Sequence, residues 1–488
     1  MLHSFPILSL VIWLPILWGL VLLVPYFPLK IVRSLGFLGS ILCFISTLVL
    51  YLRFDSSSSA YQFAENHSWI PYIGANYSVS IDGLSLLFLL LNNFLLILVV
   101  LSTYHSVKKS IAAYLFCFFS MAGLINGAFS ATDGLLFYVF FEASLIPLYM
   151  VIGMWGGQRR VYAAFKFFLY TLVASLLLLV GLVTLSKFAH GSFSIAQWHE
   201  LSLPLDIQVI LFLFFVFAFA VKIPMFPLHT WLPDAHVEAP TGGSVILAAM
   251  ALKLGAYGFL RFSLPIFPDA SHLMSPIIFS LSAIAVVYIG FVAIAQGDMK
   301  KLIAYSSISH MGFVTFGIFS NTIDGLTGAL YQMISHGFVS AGLFFCVGVL
   351  YDRLHSRKIA DYGGVVNVMP YFSALFVIFA MANCGLPGTS GFVGELLVFL
   401  SAGNSSIWWV LVLSLSLVLS AVYSLWTVKR VIMGPVVHDS VKSLVSMTGC
   451  ESTILAVLAF LVIFFGVFPA PVNKVLLHSV QNLVRPVT

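Results

Sequence analysis

The chain has 488 residues, of which 61% are hydrophobic and only 8% charged, with a mean hydropathy of +1.07. That composition excludes a large soluble core and defines a polytopic membrane protein with no soluble domain left over. The net charge of +5 is small and spread along the sequence, so nucleic-acid binding has no support and charge matters only for topology. Five cysteines (Cys43, Cys117, Cys346, Cys384, Cys450) stand far apart, without a CxxC pair or a local histidine partner, which argues against disulfides and metal centres. No two of the 36 glycines stand two positions apart, so GxGxxG is absent, as is a Walker loop. The chain itself is not expected to bind a nucleotide.

The first apolar stretch, residues 2–24, reads as a span interrupted by Pro6 and Pro15. It is too long for a signal-peptide core and lacks a cleavage site. A turn with Lys30 and Arg33 leads to a second span ending near Arg53. Residues 55–82 read as a polar connection with a four-serine run and with Trp69, Tyr72 and Tyr77, whose rings suit a membrane interface. Further spans are expected at 83–104, 111–130, 133–155, 163–187, 207–235 (broken), 241–261, 275–296, 300–320, 326–351, 370–402 (broken), 406–430 and 452–470. The fold class is therefore an all-α polytopic membrane protein with about fourteen transmembrane helices. No linker marks a second domain; the single domain 1–488 divides into N-terminal helices (1–110), a five-helix unit (111–264), a second five-helix unit (271–432) and a last helix (452–470).

Charge alternation tests this count, because a missed helix would scramble it. Odd-numbered loops carry Lys30/Arg33, Lys108/Lys109, Arg159/Arg160, Lys300/Lys301, Arg353/Arg357/Lys358 and Lys429/Lys442, and the even-numbered loops are poorer. Arg53, Lys187 and Arg261 are single exceptions, with Lys474 and Arg485 in the tail. Both termini then lie opposite the basic loops, outside a bacterial cell or in the mitochondrial intermembrane space.

Two spans contain a break. Lys222 ends a long apolar run, and Pro224, Pro227 and Pro233 prevent an unbroken helix after it. The second break is NCGLPGTSGFVG, residues 383–394, with Pro387 and a glycine at every third position, followed at once by Glu395. Five spans separate the breaks, so the two units have inverted topology, the pattern of transporters that bind ions at discontinuous helices. Between them, Lys253 stands about 18 Å from one end of its helix and about 12 Å from Arg261 near the other, at 1.5 Å per residue. Intramembrane charge costs roughly 2.5–3.5 kcal/mol on insertion scales, which makes such a lysine a functional-site hypothesis. It is the only charge in that helix interior, and no partner for it is legible.

The other titratable groups within spans are Glu142 in FYVFFEASLIPLYM, His310 in KKLIAYSSISHMGF and His336 in ALYQMISHGFVSAG. With Lys222, Lys253 and Glu395 they form two carboxylates, two lysines and two histidines, each on a different span, a set suited to a proton relay. Structural roles stand beside this reading. Membrane histidines also serve as interhelical hydrogen-bonding groups, and Glu142 with Lys222 could form a static ion pair that fixes packing. His229, Asp234, His236 and Glu238 line the first break or a loop, and either ion access or structural placement accounts for them.

The segments LHTWLPDAHVEAPTGGSVILAAMALKLGAYGFLRF, DMKKLIAYSSISHMGF, MISHGFVSAGLFFCVGVLYDR and LPGTSGFVGE resemble the antiporter-like subunit M of bacterial NADH-quinone oxidoreductase, called subunit 4 in mitochondria. The resemblance covers nearly the whole chain. It is specific among siblings: EAPTGGSVILA followed by Lys253 in LKLGAYGFLR differs from the subunit 5 and subunit 2 types, and the chain has no room for the lateral helix of subunit 5. The resemblance implies a proton-translocating subunit in the membrane arm of respiratory complex I, beside other antiporter-like subunits. It implies that Glu142 and Lys222 form the family's carboxylate-lysine pair, Lys253 its central lysine, His310 and His336 its connecting groups and Glu395 its exit-side acid. NADH, flavin, iron-sulfur clusters and quinone would be handled by other subunits, leaving this chain without a cofactor. Multisubunit cation/proton antiporters and ion-pumping membrane hydrogenases look similar in the broken helices and remain alternatives. The DAHVEAPTGGSVILA segment and the absent presequence fit a bacterial cytoplasmic membrane, with the mitochondrial inner membrane as the alternative.

Overall fold

The computed structural model describes residues 6–24, 27–107 and 109–484; the expectations placed on residues 2–5, Lys108 and Arg485 lie outside them. Among the described residues, twelve helices are long and apolar enough to cross a membrane, and two shorter apolar helices, Ile7–Leu22 and Pro370–Asn383, account for the remaining expected spans.

The N-terminal layer consists of α1 (Ile7–Leu22), α2 (Leu29–Arg53) and α3 (Gly83–Ser106). The connection between α2 and α3 is not simply a polar loop. It folds into an antiparallel hairpin of β1 (Gln62–Ile70) and β2 (Ala75–Ile81), turned at Gly74 with φ +75°, which favours glycine. Glu65 of β1 accepts from the Leu8 N–H at 2.8 Å and so ties the hairpin to the start of α1. Tyr72 is almost fully exposed at the turn, whereas the Tyr77 hydroxyl is held by Ser9 and Trp13.

α4 (Ile111–Ser130) is followed by a span bent into α5 (Gly134–Ala143) and α6 (Leu145–Trp155). Pro147 lacks the N–H that would bond the Ala143 carbonyl, and the Ser144 hydroxyl bonds the Phe141 carbonyl at 2.7 Å, so the helix is interrupted at Ser144, two residues past Glu142. After α7 (Arg160–Phe188) and the short α8 (Ile195–His199), α9 (Leu205–Lys222) stops at the expected break and α10 (Trp231–Glu238) resumes. The Trp231 indole N–H donates to the Val221 carbonyl at 2.9 Å, satisfying one of the acceptors orphaned where α9 ends.

The span Thr241–Ile266 is continuous but not regular. It consists of α11 (Thr241–Ile246), α12 (Leu252–Gly258) and α13 (Leu264–Ile266), joined by π turns at Leu247–Ala251 and Phe259–Ser263. Then come α14 (Pro268–Ile294), α15 (Met299–Phe319), capped by the Asp298 carboxylate, and α16 (Ile323–Leu354). The second interrupted span is α17 (Pro370–Asn383) and α18 (Ser390–Ser405), separated by Gly385 and Gly388 at φ +72° and +91°. α19 (Ile407–Thr427), the short α20 (Asp439–Lys442) and α21 (Gly449–Val467) follow. Beyond the last expected span, α22 (Ala470–Leu483) buries Val472, Val475, Leu476 and Val480, and Ser479 accepts from the Gly83 N–H at 3.0 Å.

Burial separates the helices by role. The most apolar windows of Thr241–Ile266, α15 and α16 are 100%, 94% and 100% buried, whereas those of α2, α7 and α21 are 39%, 39% and 28% buried. The three enclosed helices are the ones that carry Lys253, His310 and His336.

Candidate functional site

Glu142 and Lys222 face each other's neighbourhood without touching. Lys222, 2% exposed at the end of α9, has its Nζ 4.5 Å from the centre of the Phe141 ring, a cation–π distance. Glu142 Oε1 is shut off from solvent and has no hydrogen-bond partner, and among the described residues no ion pair joins Glu142 to Lys222. The static ion pair considered from sequence is therefore not formed at contact distance, and Lys222 lies over the Phe141 ring instead.

Lys222 lies against the helix of Lys253. A side chain at Gly255 would meet the Lys222 Cβ, so the glycine two residues past Lys253 lets α9 and α12 cross closely. Lys253 is fully buried, and it does have partners: Nζ donates to the Ala248 carbonyl at 2.7 Å and lies 2.8 Å from His336 Nδ1. Ala248 belongs to the first π turn, where backbone geometry is loosened, a feature frequent at functional sites.

From His336 the polar groups continue into the second unit. The His336 and His310 rings have centroids 5.8 Å apart, and His336 Nε2 is buried without a partner. His310 Nε2 lies 3.2 Å from Asn383 Oδ1, while its Nδ1 lies 3.2 Å from Gln332 Nε2 and 3.3 Å from Glu395 Oε1. Gln332 also donates to Glu395 Oε1 at 3.4 Å. A neutral His310 ring that gives its Nε2 proton to Asn383 can accept from Gln332 at Nδ1; a protonated ring can instead donate Nδ1–H to Glu395. The same atoms accommodate two protonation states.

The structure thus joins Lys253, His336, His310 and Glu395, and leaves Glu142 and Lys222 at the other end, not ion-paired with each other. Gln332 and Asn383 were not singled out from sequence. Gln332 precedes His336 by one helical turn on the same face, and Asn383 is the last residue before the second break, signals that could have found both. Two loop charges are also relocated. Lys300, counted as a topological charge, is 4% exposed; Arg261 is 6% exposed and ion-paired with Asp82, with Tyr257 and Ser85 around it. Near the first break, Asp234 pairs with Lys166 at 2.6 Å, and Glu238 accepts from the Arg159 N–H at 2.9 Å. His229 stacks on Phe226.

Two interrupted helices around an enclosed file of lysine, histidine and carboxylate define an antiporter-like membrane subunit. The family model described as NADH:quinone oxidoreductase/Mrp antiporter, TM, matches residues 131–420. NADH-quinone oxidoreductase subunit M of Rhodobacter capsulatus is 46% identical over 92% of this chain and 89% of its own length. NADH-ubiquinone oxidoreductase chain 4 of Chondrus crispus is 44% identical over 95% and 94%. A chain of respiratory complex I from Thermus thermophilus with bound NADH superposes with a TM-score of 0.90 at 32% identity, covering 98% of this chain and 100% of that one. The chain belongs to the subunit M (chain 4) family of NADH-quinone oxidoreductase.

Proposed function

We propose that this chain is a proton-translocating membrane-arm subunit of respiratory complex I, embedded beside other antiporter-like subunits in a bacterial cytoplasmic or mitochondrial inner membrane. It couples NADH-quinone oxidoreduction carried out elsewhere in the complex to proton movement through Glu142, Lys222, Lys253, His336, His310 and Glu395. In this reading NADH, flavin, iron-sulfur clusters and quinone belong to other subunits, so the enzyme activity is that of the complex. The observation that carries the proposal is the file of buried groups from Lys253 through His336 and His310 to Glu395.

Transfer starts at the Glu142–Lys222 end. A charged Glu142 near Lys222 favours the protonated lysine, and as that coupling weakens, burial favours release of the proton towards Lys253. Lys253 hands a proton to His336 Nδ1. A water at the unpartnered Nε2 would carry it to His310. His310 then delivers it from Nδ1 to Glu395. Moving one charge against 100 mV costs about 2.3 kcal/mol, comparable with one or two pKa units at about 1.36 kcal/mol each.

The test is Lys253→Ala in fully assembled complex, with NADH-quinone turnover and proton pumping measured side by side. Both should fall about tenfold or more, as for loss of a positioned proton-transfer group. Removing the lysine also frees His336 Nδ1, at a cost of about 1–3 kcal/mol, so assembly is measured in the same membranes. Normal values of both activities would leave Lys253 a structural residue. Copurification of flavin and iron-sulfur subunits separates this reading from a multisubunit cation/proton antiporter.

A further inference from the structure

The relay leaves Lys253 towards the second unit. A second polar chain begins one turn past Lys253 on the same span and runs the other way, and the relay does not use it. Residues four apart share a helix face, so Tyr257 stands on the Lys253 side about 6 Å further along the axis, with Arg261 about 12 Å along, at 1.5 Å per residue. All three are buried. The Tyr257 hydroxyl lies 2.9 Å from Ser85 Oγ and accepts from Arg261 Nε at 2.9 Å. Arg261 reaches on to the Asp82 carboxylate with Nη2 and to the hydroxyl of Tyr61, itself exposed, with Nη1 at 3.2 Å. Asp82 also caps α3, accepting from the N–H groups of Leu84 and Ser85 at 3.1 Å each. Since α3 runs from Asp82 to the basic loop at Lys109, the chain ends at the face opposite the basic loops.

Such a chain conducts protons only if every member can take one and pass one on. Two members cannot. The Tyr257 hydroxyl donates to the Phe129 carbonyl at 2.8 Å, where a backbone oxygen ends the line. With that proton committed, Ser85 must donate to Tyr257, and it cannot at the same time carry a proton away from it. The next group is a guanidinium, which has five donors, no acceptor and no proton to release at working pH. Arg261 also holds Asp82, whose carboxylate would otherwise accept a proton from Tyr257 by way of Ser85. Packing closes the space around these bonds: the Tyr257 ring stands edge-on to Phe129 at 5.0 Å, and the guanidinium lies 5.4 Å from the centre of the Tyr61 ring.

We propose that Arg261, locked on Asp82, seals the outer end of the Lys253 span against protons, so that a proton on Lys253 has only the route through His336 into the second unit. The inference rests on the relay reading for Lys253 as a proton carrier and adds to it the reason the carrier does not discharge along its own helix. Fixed arginines exclude protons from polar pores on the same principle. The competing reading makes the same chain an outlet, with Tyr257 and Asp82 as carriers.

The test uses the assembled complex in proteoliposomes, where a pH step without NADH reports leak and NADH addition reports protons moved per NADH. Arg261→Gln frees Asp82 towards Ser85 and Tyr257; Arg261→His keeps a donor beside Asp82 but supplies a ring that releases its proton near neutral pH. Both should dissipate the pH step several-fold faster than the unaltered complex and deliver less than about half the protons per NADH, with NADH-quinone turnover kept. Assembled variants as proton-tight as the unaltered complex overturn the seal. Failure of both variants to assemble also overturns it, assigning the ion pair a purely structural role. Tyr257→Phe decides between seal and outlet, because it keeps the ring packing and leaves Arg261 on Asp82. An unchanged number of protons per NADH supports the seal, whereas a tenfold loss of pumping in tight vesicles makes the chain an outlet, by the scale of a lost proton-transfer group. Lys253→Ala, run in parallel, separates the layers: impaired Lys253→Ala with proton-tight Arg261 variants defeats the seal alone, and normal Lys253→Ala defeats the relay.

Discussion

The two interrupted helices treat the groups they release in opposite ways. At the first break Lys222 meets an aromatic face, and its carboxylate neighbour Glu142 keeps a buried oxygen unbonded. At the second, Asn383 and Glu395 converge on one histidine, with Gln332 bridging. One junction is open and the other is wired. An open junction responds to distance and field, since a charge pair out of contact still interacts strongly in a low-dielectric interior. A wired junction holds its histidine from several sides and so keeps the ring in place when one group is lost.

The comparison assumes that the two breaks are entered from opposite sides of the membrane, and the most decisive way to break it is all-or-none. Single cysteines replacing Ser57 and Lys358, both exposed, in a background without native cysteines should react with an impermeant reagent from opposite faces. Labelling of both from one face removes the inverted pairing. Next in size, Glu142→Gln removes the charge of the carboxylate next to Phe141, the ring over which Lys222 lies, and should lower coupled turnover at least about tenfold with assembly intact. A smaller loss, several-fold, is expected for Glu395→Gln, because Gln332 and Asn383 still orient the His310 ring and water can take its proton in place of the carboxylate. Both are read as NADH-quinone turnover and pumping in assembled complex; a larger loss at Glu395 than at Glu142 reverses the assignment of open and wired junctions.

Much of this was legible in the sequence because the bilayer leaves so few options. Apolar length marked the spans, prolines marked the first break, and charge on apolar helices marked the six residues proposed for the relay. What stayed hidden depended on side-chain direction or on distant partners. Lys300 and Lys301 are adjacent and chemically alike, yet the first is buried and the second half-exposed, a difference set only by helix phase. Arg261 reads as a loop charge until Asp82, 179 residues away in sequence, is placed beside it. The hairpin escaped because β1, QFAENHSWI, is mostly polar and shows no clean alternation, and a lone two-stranded hairpin is at best marginally stable by itself. The bend after Glu142 was within reach, since Pro147 lies four residues past the carbonyl it leaves unbonded.

Two π turns bracket Lys253 within its helix. A π turn is an α-helix holding one surplus residue, and helix phase advances about 100° per residue at 3.6 residues per turn. The azimuth of Lys253 is therefore fixed by where the surplus residues sit, not by the ends of the span. Deleting Ala249 from the first π turn restores a regular helix there and rotates everything on one side of it relative to the other by about 100°. Lys253 would then lose register with His336, the composition of the span being otherwise unchanged. Assembled complex carrying that deletion should lose pumping as Lys253→Ala does, although the lysine is still present; retained pumping would show that the azimuth is set elsewhere. In this helix the count of residues, as much as their identity, aims the charge.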